Sequence, residues 1–230
     1  GQDSLVQILK GAITNDRLAH AYVLTGVRGV GKTTTARLIA MSINCQKRSK
    51  DNCEPCGDCD SCKSTGVDSN LDVIEMDAAS NTGVDDIREI IDNVKYKPII
   101  GRYKIFIIDE VHMLSKSAFN ALLKTLEEPP DHVKFIFATT EVKKIPITVL
   151  SRCQRFDLLR IENNNLTKHL LKVVELENID IDNDAISLIV RAADGSIRDG
   201  LSLLDQAITN QNIKIDSKAI STMLGLAERE

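Results

Sequence analysis

The sequence contains no tryptophan, and aromatic residues make up only 3% of it. A protein that holds single-stranded nucleic acid on a stacking platform needs aromatic faces, so the composition argues against that class of binder. No apolar run approaches the roughly 20 residues that a membrane-spanning helix requires. The chain opens Gly1-Gln2-Asp3, which lacks the apolar stretch of a secretory leader. It also starts without Met, as a piece of a longer chain would. Nor is there an excess of positive charge: 29 Lys and Arg against 33 Asp and Glu leave −4. That argues against wrapping nucleic acid over the whole surface, while leaving room for one local basic face.

What is present is ordinary for a soluble globular protein. The 230 residues are 43% hydrophobic and 27% charged, enough for one large domain or a medium one with a small companion. Six cysteines stand out: Cys45, Cys53, Cys56, Cys59, Cys62 and Cys153, five of them crowded into one short stretch. In a reducing, cytoplasmic setting such a cluster reads as metal-binding rather than disulfide-bonded.

Along the chain, short buried-strand patterns alternate with helical ones. Leu5 to Ile13 has helical spacing. Strands are expected at residues 21–25, 71–76, 103–108 and 133–138, and helices at 34–43, after 82 and at 116–127, the last stopped by Pro129-Pro130. Thr82-x-x-Asp85 has the form of a capping box. The third strand is apolar at consecutive positions, which implies burial on both faces. Such alternation predicts an α/β fold with a parallel, doubly wound sheet. Beyond Leu159 the rhythm changes to four helical stretches, at about 163–178, 182–193, 197–209 and 217–225, with Asp182, Ser196 and Asp216 at N-cap positions. The expected organisation is an α/β domain at 1–159, interrupted by a cysteine module at 45–62, then a small all-α domain at 160–230.

Gly26-Val27-Arg28-Gly29-Val30-Gly31-Lys32-Thr33 satisfies the Gly-x4-Gly-Lys-Ser/Thr pattern, and it lies between a predicted strand and a predicted helix, the context that the pattern needs. Glycines let backbone N–H groups curl around phosphate oxygens, and the helix N-terminus adds a positive dipole end. Lys32 reaches the β- and γ-phosphates, the Thr33 hydroxyl suits Mg²⁺, and Thr34 follows in the first helical turn. Asp109, at the carboxyl end of the third strand, suits Mg²⁺ as well; Glu110 is the candidate to orient the attacking water. An apolar strand ending in Asp-Glu is by itself more often a surface turn. Paired with an intact P-loop, it reads as the second half of an ATP–Mg²⁺ site.

Cys56-x-x-Cys59-x-x-Cys62 gives three thiolates that can turn toward one ion, with Cys45 or Cys53 as the fourth. Zinc is the expected metal and an iron–sulfur cluster the alternative. The polar, Gly- and Asp-rich surroundings cannot build a core of their own, so metal binding must hold the loop. Three further residues stay open on spacing alone. Thr140, with Thr139 before it, ends the fourth strand, where a hydroxyl can reach phosphate or water or simply cap the strand. Arg152 reads equally as a solvated surface cation. Arg198 sits in the first turn of a helix, where a cation opposes the dipole.

Taken together, these strings resemble the gamma/tau clamp-loader family of bacterial DNA polymerase III. The resemblance rests on His20-Ala21-Tyr22, the P-loop, Asn44-Cys45 and Pro55-Cys56-Gly57-x-Cys59-x-x-Cys62. It continues through Asp77-Ala78-Ala79-Ser80, Ile108 to Leu114, Asn120 to Pro130, Leu150-Ser151-Arg152-Cys153 and Gly195-Ser196-Ile197-Arg198-Asp199. It covers the whole chain.

The resemblance implies an AAA+ ATPase domain with a zinc-binding insertion and a helical lid: an ATP-hydrolysing subunit of a DNA-directed DNA polymerase III. Arg152 would act in trans on a neighbour's ATP; Thr140 would be the first sensor and Arg198 the second. Cys45 would complete the zinc set with Cys56, Cys59 and Cys62, leaving Cys53 as an extra thiol. Gly200 stands where alanine is expected, at a cost of about 1 kcal/mol to its helix. The implied partners are the other loader subunits in a pentameric ring, the sliding clamp and primer–template DNA, with no membrane. The family's ring-forming collar would follow residue 230, so this stretch alone is expected to be monomeric. The competing expectations are a non-hydrolysing sister subunit and a different AAA+ machine, such as a helicase loader or Holliday-junction motor. Intact Lys32-Thr33 and Asp109-Glu110 oppose the former; the cysteine module and Ser151-Arg152-Cys153 oppose the latter.

Overall fold

A computed structural model describes residues 2–49, 53–67, 69–210 and 215–225. Parts of the expected cysteine module (50–52) and of the helical domain (211–214 and 226–230) lie outside the described residues. By its contacts the chain separates into two compact units. One comprises Gln2–Gly26 and Lys32–Leu158; the other joins Val27–Gly31 to Leu159–Glu230. No helix among the described residues is long and apolar enough to cross a membrane.

The larger unit is built on five parallel strands: β1 (Ala21–Thr25), β2 (Val73–Asp77), β3 (Lys104–Asp109), β4 (Val133–Thr139) and β5 (Gln154–Asp157). Their order across the sheet is β2-β3-β4-β1-β5. Every residue of β1 and β4 is buried, as expected of central strands covered on both faces. Phe106, Phe135 and Phe137 stack in series on one face of the sheet, among the residues of the main core.

The fifth strand was not expected. Gln154-Arg155-Phe156-Asp157 carries one apolar residue, and only Phe156 is buried. It is an edge strand, held by backbone pairing to β1. That pairing has no hydrophobic signature in the sequence.

The helices are α1 (Asp3–Thr14), α2 (Lys32–Asn44), α3 (Asp60–Gly66), α4 (Val84–Val94), α5 (Lys116–Glu127) and α6 (Ile147–Leu150). In α4, Ile87, Ile90 and Val94 bury one face. Its cap is displaced by one residue from the sequence expectation, and only the backward half of a capping box forms, because glycine has no side chain to accept a bond. Gly83 takes the extended N-cap conformation, and its N–H donates to the Asp86 carboxylate at 3.0 Å; Thr82 and Asp85 do not form the box. The Ser115 hydroxyl caps α5 by accepting the Ala118 N–H at 3.2 Å.

Two buried polar groups brace the approach to β3. The Asp72 carboxylate, 1% exposed, accepts the backbone N–H groups of Ile99, Ile100 and Gly101, each at 2.6 Å. The Asn44 side chain, at the end of α2, donates to Tyr103 O (2.8 Å) and accepts from Tyr103 N–H (3.0 Å). These bonds satisfy donors that burial would otherwise strand. They also fix the strand that ends at Asp109.

The second unit packs α7 (Asn163–Leu176), α8 (Asn183–Ala193), α9 (Ile197–Asn210) and α10 (Ser217–Met223) around Leu166, Leu170, Ile186, Ile189, Leu204 and Ile220. Asp182 and Asp216 hold the N-cap positions of α8 and α10, and Asp216 accepts the Ala219 N–H at 2.8 Å. Ser196 accepts the Asp199 N–H at 3.1 Å at the start of α9. The inclusion of Val27–Gly31 in this unit differs from the 1–159 boundary read in the sequence. It follows from a direct bond: the Ile197 N–H donates to Gly29 O at 3.2 Å.

Gly200 lies inside α9, and a methyl group there would meet Ala193 and Leu166 at 3.5 Å and Leu170 at 3.7 Å, ordinary packing distances. Gly200→Ala is therefore expected to raise the stability of the helical unit by about 1 kcal/mol, since alanine loses less backbone entropy in a helix. Urea unfolding of the two proteins measures it; an unchanged midpoint would contradict the packing.

Candidate functional site

In a parallel sheet all carboxyl ends share one edge, and ligands sit outside that edge where strand order reverses. Here β1 lies between β4 and β5, while its connection leads away to β2 at the far edge. The loop leaving β1 is Gly26–Gly31, with Gly26, Gly29 and Gly31 at φ 157°, 76° and 94°. Gly29 and Gly31 thus adopt left-handed backbone that side chains disfavour, so the run must be glycine-rich to turn. A Cβ on Gly31 would meet nothing within 4 Å, so the loop has room beside it. Val30 is buried and anchors the loop, while Val27 and Arg28 are exposed.

Helix α2 begins directly at Lys32, a residue only 6% exposed, whose ammonium donates to Gly26 O at 3.2 Å. The Thr33 hydroxyl donates to the Asp109 carboxylate. Thr34, next along α2, is exposed. Thus the structure brings together the Lys32–Thr33 end of the P-loop and the end of β3, from positions 76 residues apart. A hydroxyl and a carboxylate on adjacent elements form a donor set that suits a hard divalent cation such as Mg²⁺.

Glu110 follows in left-handed backbone (φ 45°, ψ 42°) and opens a short 3-10 turn, Val111–Met113. Its carboxylate accepts the Thr140 hydroxyl at 3.0 Å and the Thr140 N–H at 3.3 Å. Register places Thr25 beside Thr139 and Asp77 beside Asp109, so these groups line the same edge.

Sequence reasoning named the Thr139–Thr140 pair without dividing its roles, and missed His112 altogether. Thr139 is completely buried, and its hydroxyl accepts the Glu141 N–H at 3.0 Å. His112 contacts it through Nδ1 at 3.0 Å. His112 stands two places after Glu110, but nothing in the local pattern signals that its ring turns inward.

The two arginine candidates are carried on other elements. Arg152 follows α6; its guanidinium donates to Thr148 O at 2.6 Å and to Glu127, at the end of α5, at 2.8 Å. Arg198 lies in the first turn of α9, one residue after the Ile197–Gly29 bond.

The sulfurs of Cys45, Cys56, Cys59 and Cys62 converge, all within 4.8 Å of one another. Cys45 comes from the residue after α2 and Cys62 from α3. A tetrahedral zinc with sulfur bonds of about 2.3 Å sets its ligands about 3.8 Å apart, which the cluster accommodates. The convergence suits one ion; a multinuclear cluster would push the thiolates apart with its own atoms. Cys53 is not in this group. It is buried beside α1, 3.3 Å from the Thr14 hydroxyl and 3.8 Å from Lys10 O.

Cys56, Cys59 and Cys62 differ in acidity. Burial opposes charge on Cys59, yet backbone groups at Gln46 and Cys62 and the neighbouring thiols bring it down to about 6. The Cys59 N–H, 3.3 Å from Cys56 Sγ, helps hold Cys56 below the ordinary thiol value. Burial pushes Cys62 up to about 12. Thiolates this close together repel one another, and a bound cation would balance them.

A glycine-rich loop between β1 and α2, an Asp-Glu pair ending β3 and a helical lid define an AAA+ P-loop ATPase fold. Solved structures agree on that fold: Thermotoga maritima RuvB, the Holliday junction branch migration motor, matches with a TM-score of 0.67 over 98% of this chain and 69% of its own, at 18% identity. The model of the family "DNA polymerase III, delta subunit" matches residues 1–162, and that of "DNA polymerase III clamp loader subunit, ATPase lid domain" matches 165–222. The chain belongs to the clamp-loader subunit family of DNA polymerase III, on its gamma/tau branch.

Among its relatives, DNA polymerase III subunit tau of Bacillus subtilis is 51% identical over 209 residues, 91% of this chain and 37% of that protein. Subunit tau/gamma of Haemophilus influenzae is 47% identical over 228 residues, 99% of this chain and 33% of that protein. Subunit tau of Escherichia coli is 47% identical over 225 residues, 98% of this chain and 35% of that protein. The chain thus spans about a third of the length of these relatives.

The geometry separates the two candidate fourth thiols. Protein purified with its native metal is expected to hold one zinc per chain and no iron by elemental analysis. Cys53→Ser should keep that stoichiometry, whereas Cys45→Ser should lose zinc to a chelator that leaves the parent loaded. Equal retention by both variants would break the assignment.

Proposed function

We propose that the chain forms the ATP-hydrolysing part of a sliding-clamp loader motor. It would use ATP binding and hydrolysis to place the clamp on primer–template DNA during replication. The observation that carries this reading is the meeting of Lys32, Thr33 and Asp109 at the carboxyl edge of the sheet. A subunit that only holds a ring together has no need to keep this set intact.

The proposed roles follow from placement. Amides of Gly26–Thr34 cradle the phosphates, and Lys32 neutralises the β- and γ-phosphate oxygens. Magnesium, held by Thr33 and Asp109, supplies further charge neutralisation when bound. Glu110 orients the attacking water, and Thr140, already bonded to it, links that carboxylate to the end of β4. Arg198, carried on α9, serves as a second phosphate sensor. Arg152 is bound to Glu127 and Thr148, outside the Lys32–Asp109 cluster, which suits a group acting in trans on the next subunit's ATP. Zinc, on Cys45, Cys56, Cys59 and Cys62, is structural, since four protein ligands leave no open position.

In this reading residues 1–159 are the motor domain and 160–230 its lid. The partners are the other subunits of a pentameric ring, the clamp and DNA. The work is done by differential affinity of the ATP-bound and ADP-bound states for those partners. The likeness to RuvB supports only the shared fold.

Two substitutions test the roles in the complete, full-length assembly. Lys32→Ala is expected to reduce steady-state ATP hydrolysis by at least about 100-fold, because the transferring phosphoryl loses its nearest cation. Parental turnover in that variant would end the motor reading. Arg152→Ala is expected to bind ATP with unchanged affinity and hydrolyse it about 10³-fold more slowly. A parallel loss of affinity and rate, measured by nucleotide titration beside turnover, would remove the trans role.

A further inference from the structure

We propose that His112 is a positioning residue for Glu110: its buried imidazole sets the carboxylate that orients the attacking water. The proposal rests on the reading of Glu110 given above and adds a residue to it.

The geometry is specific. The His112 side chain is 6% exposed and lies in the 3-10 turn directly after Glu110. Its Nδ1 is 3.3 Å from Glu110 Oε2 and 3.0 Å from the Thr139 hydroxyl. Its Nε2 is 3.5 Å from Glu141 Oε1. One ring therefore stands between two carboxylates. Lys144 holds the same Glu141 oxygen at 2.8 Å, and Thr139 is itself anchored by the Glu141 N–H.

Glu110 needs such help. Its left-handed backbone is one that residues other than glycine, asparagine and aspartate seldom adopt, and such conformations persist only where the surroundings hold them. Thr140 reaches one oxygen of the carboxylate, Oε2. His112 approaches the same oxygen from the turn, so Oε2 is fixed between β4 and the segment after β3. The carboxylate cannot swing without breaking contacts on both sides. A ring buried only to fill space would have no reason to aim both nitrogens at oxygen atoms, and a misplacement of about 1 Å at such a group costs about 100-fold in rate.

The test uses the full-length protein in its complete assembly, with ATP turnover and nucleotide affinity measured side by side. His112→Asn puts an amide nitrogen where Nδ1 stands; His112→Gln puts one where Nε2 stands; H112S removes both with little bulk. H112Q and H112S are expected to lower kcat about 10- to 100-fold with KM and nucleotide affinity within about twofold, while H112N stays within about threefold of the parent. In a Glu110→Gln background, H112Q should cause no further loss, because the group it positions is gone. Parental kcat in both H112Q and H112S would overturn the proposal, as would a loss in H112Q that simply multiplies with that of E110Q. Parental turnover in E110Q alone marks a different failure: the reading of Glu110 falls, and the role of His112 with it.

Discussion

The bond from the Thr33 hydroxyl to the Asp109 carboxylate is the constraint on which the rest of the site depends. It joins the first turn of α2 to the last residue of β3, two elements far apart in sequence. For it to form, β3 must end level with the P-loop, and the buried ties from Asp72 and Asn44 fix how the chain enters β3. The glycines of the loop must also turn sharply enough to start α2 at Lys32. Each requirement falls on the backbone and on the buried groups that tie it, so the fold itself fixes where these charges stand. Groups fixed in this way are the kind that stabilise charge without rearranging.

Much of this was legible in the sequence, for identifiable reasons. The central strands announce themselves because burial on both faces forces runs such as Ile105-Phe106-Ile107-Ile108. The P-loop is legible because few residue types permit its turns. β5 was not, since an edge strand needs only backbone partners and carries little hydrophobic signal. The shifted cap at Gly83 shows a finer limit. Thr82 and Gly83 are both acceptable N-caps, and acidic residues stand three places after each, so spacing cannot choose between them. His112 was missed because a ring turned inward between two carboxylates depends on tertiary placement alone.

The cysteine module illustrates the division between pattern and geometry. Cys56, Cys59 and Cys62 share a regular interval, and Cys53 continues it, so period alone favours the wrong neighbour. Cys45 joins the cluster because α2 ends just before it, which carries the thiol to the loop from the helix side. Cys53 packs on α1 instead. The metal would therefore couple the far end of the P-loop helix to the insertion. The lid is legible in another way: its amphipathic helices and caps emerge from period and polar punctuation, since a small bundle is stabilised mainly by local faces.

The left-handed backbone at Glu110 carries an implication about selection. A glycine there would relax the turn and favour the folded chain, because no side chain would oppose positive φ. A sequence chosen for robustness alone would drift toward that relief. This one has a bulky acid at a left-handed position on the sheet's rim, which is how a demand other than folding leaves its mark on a structure.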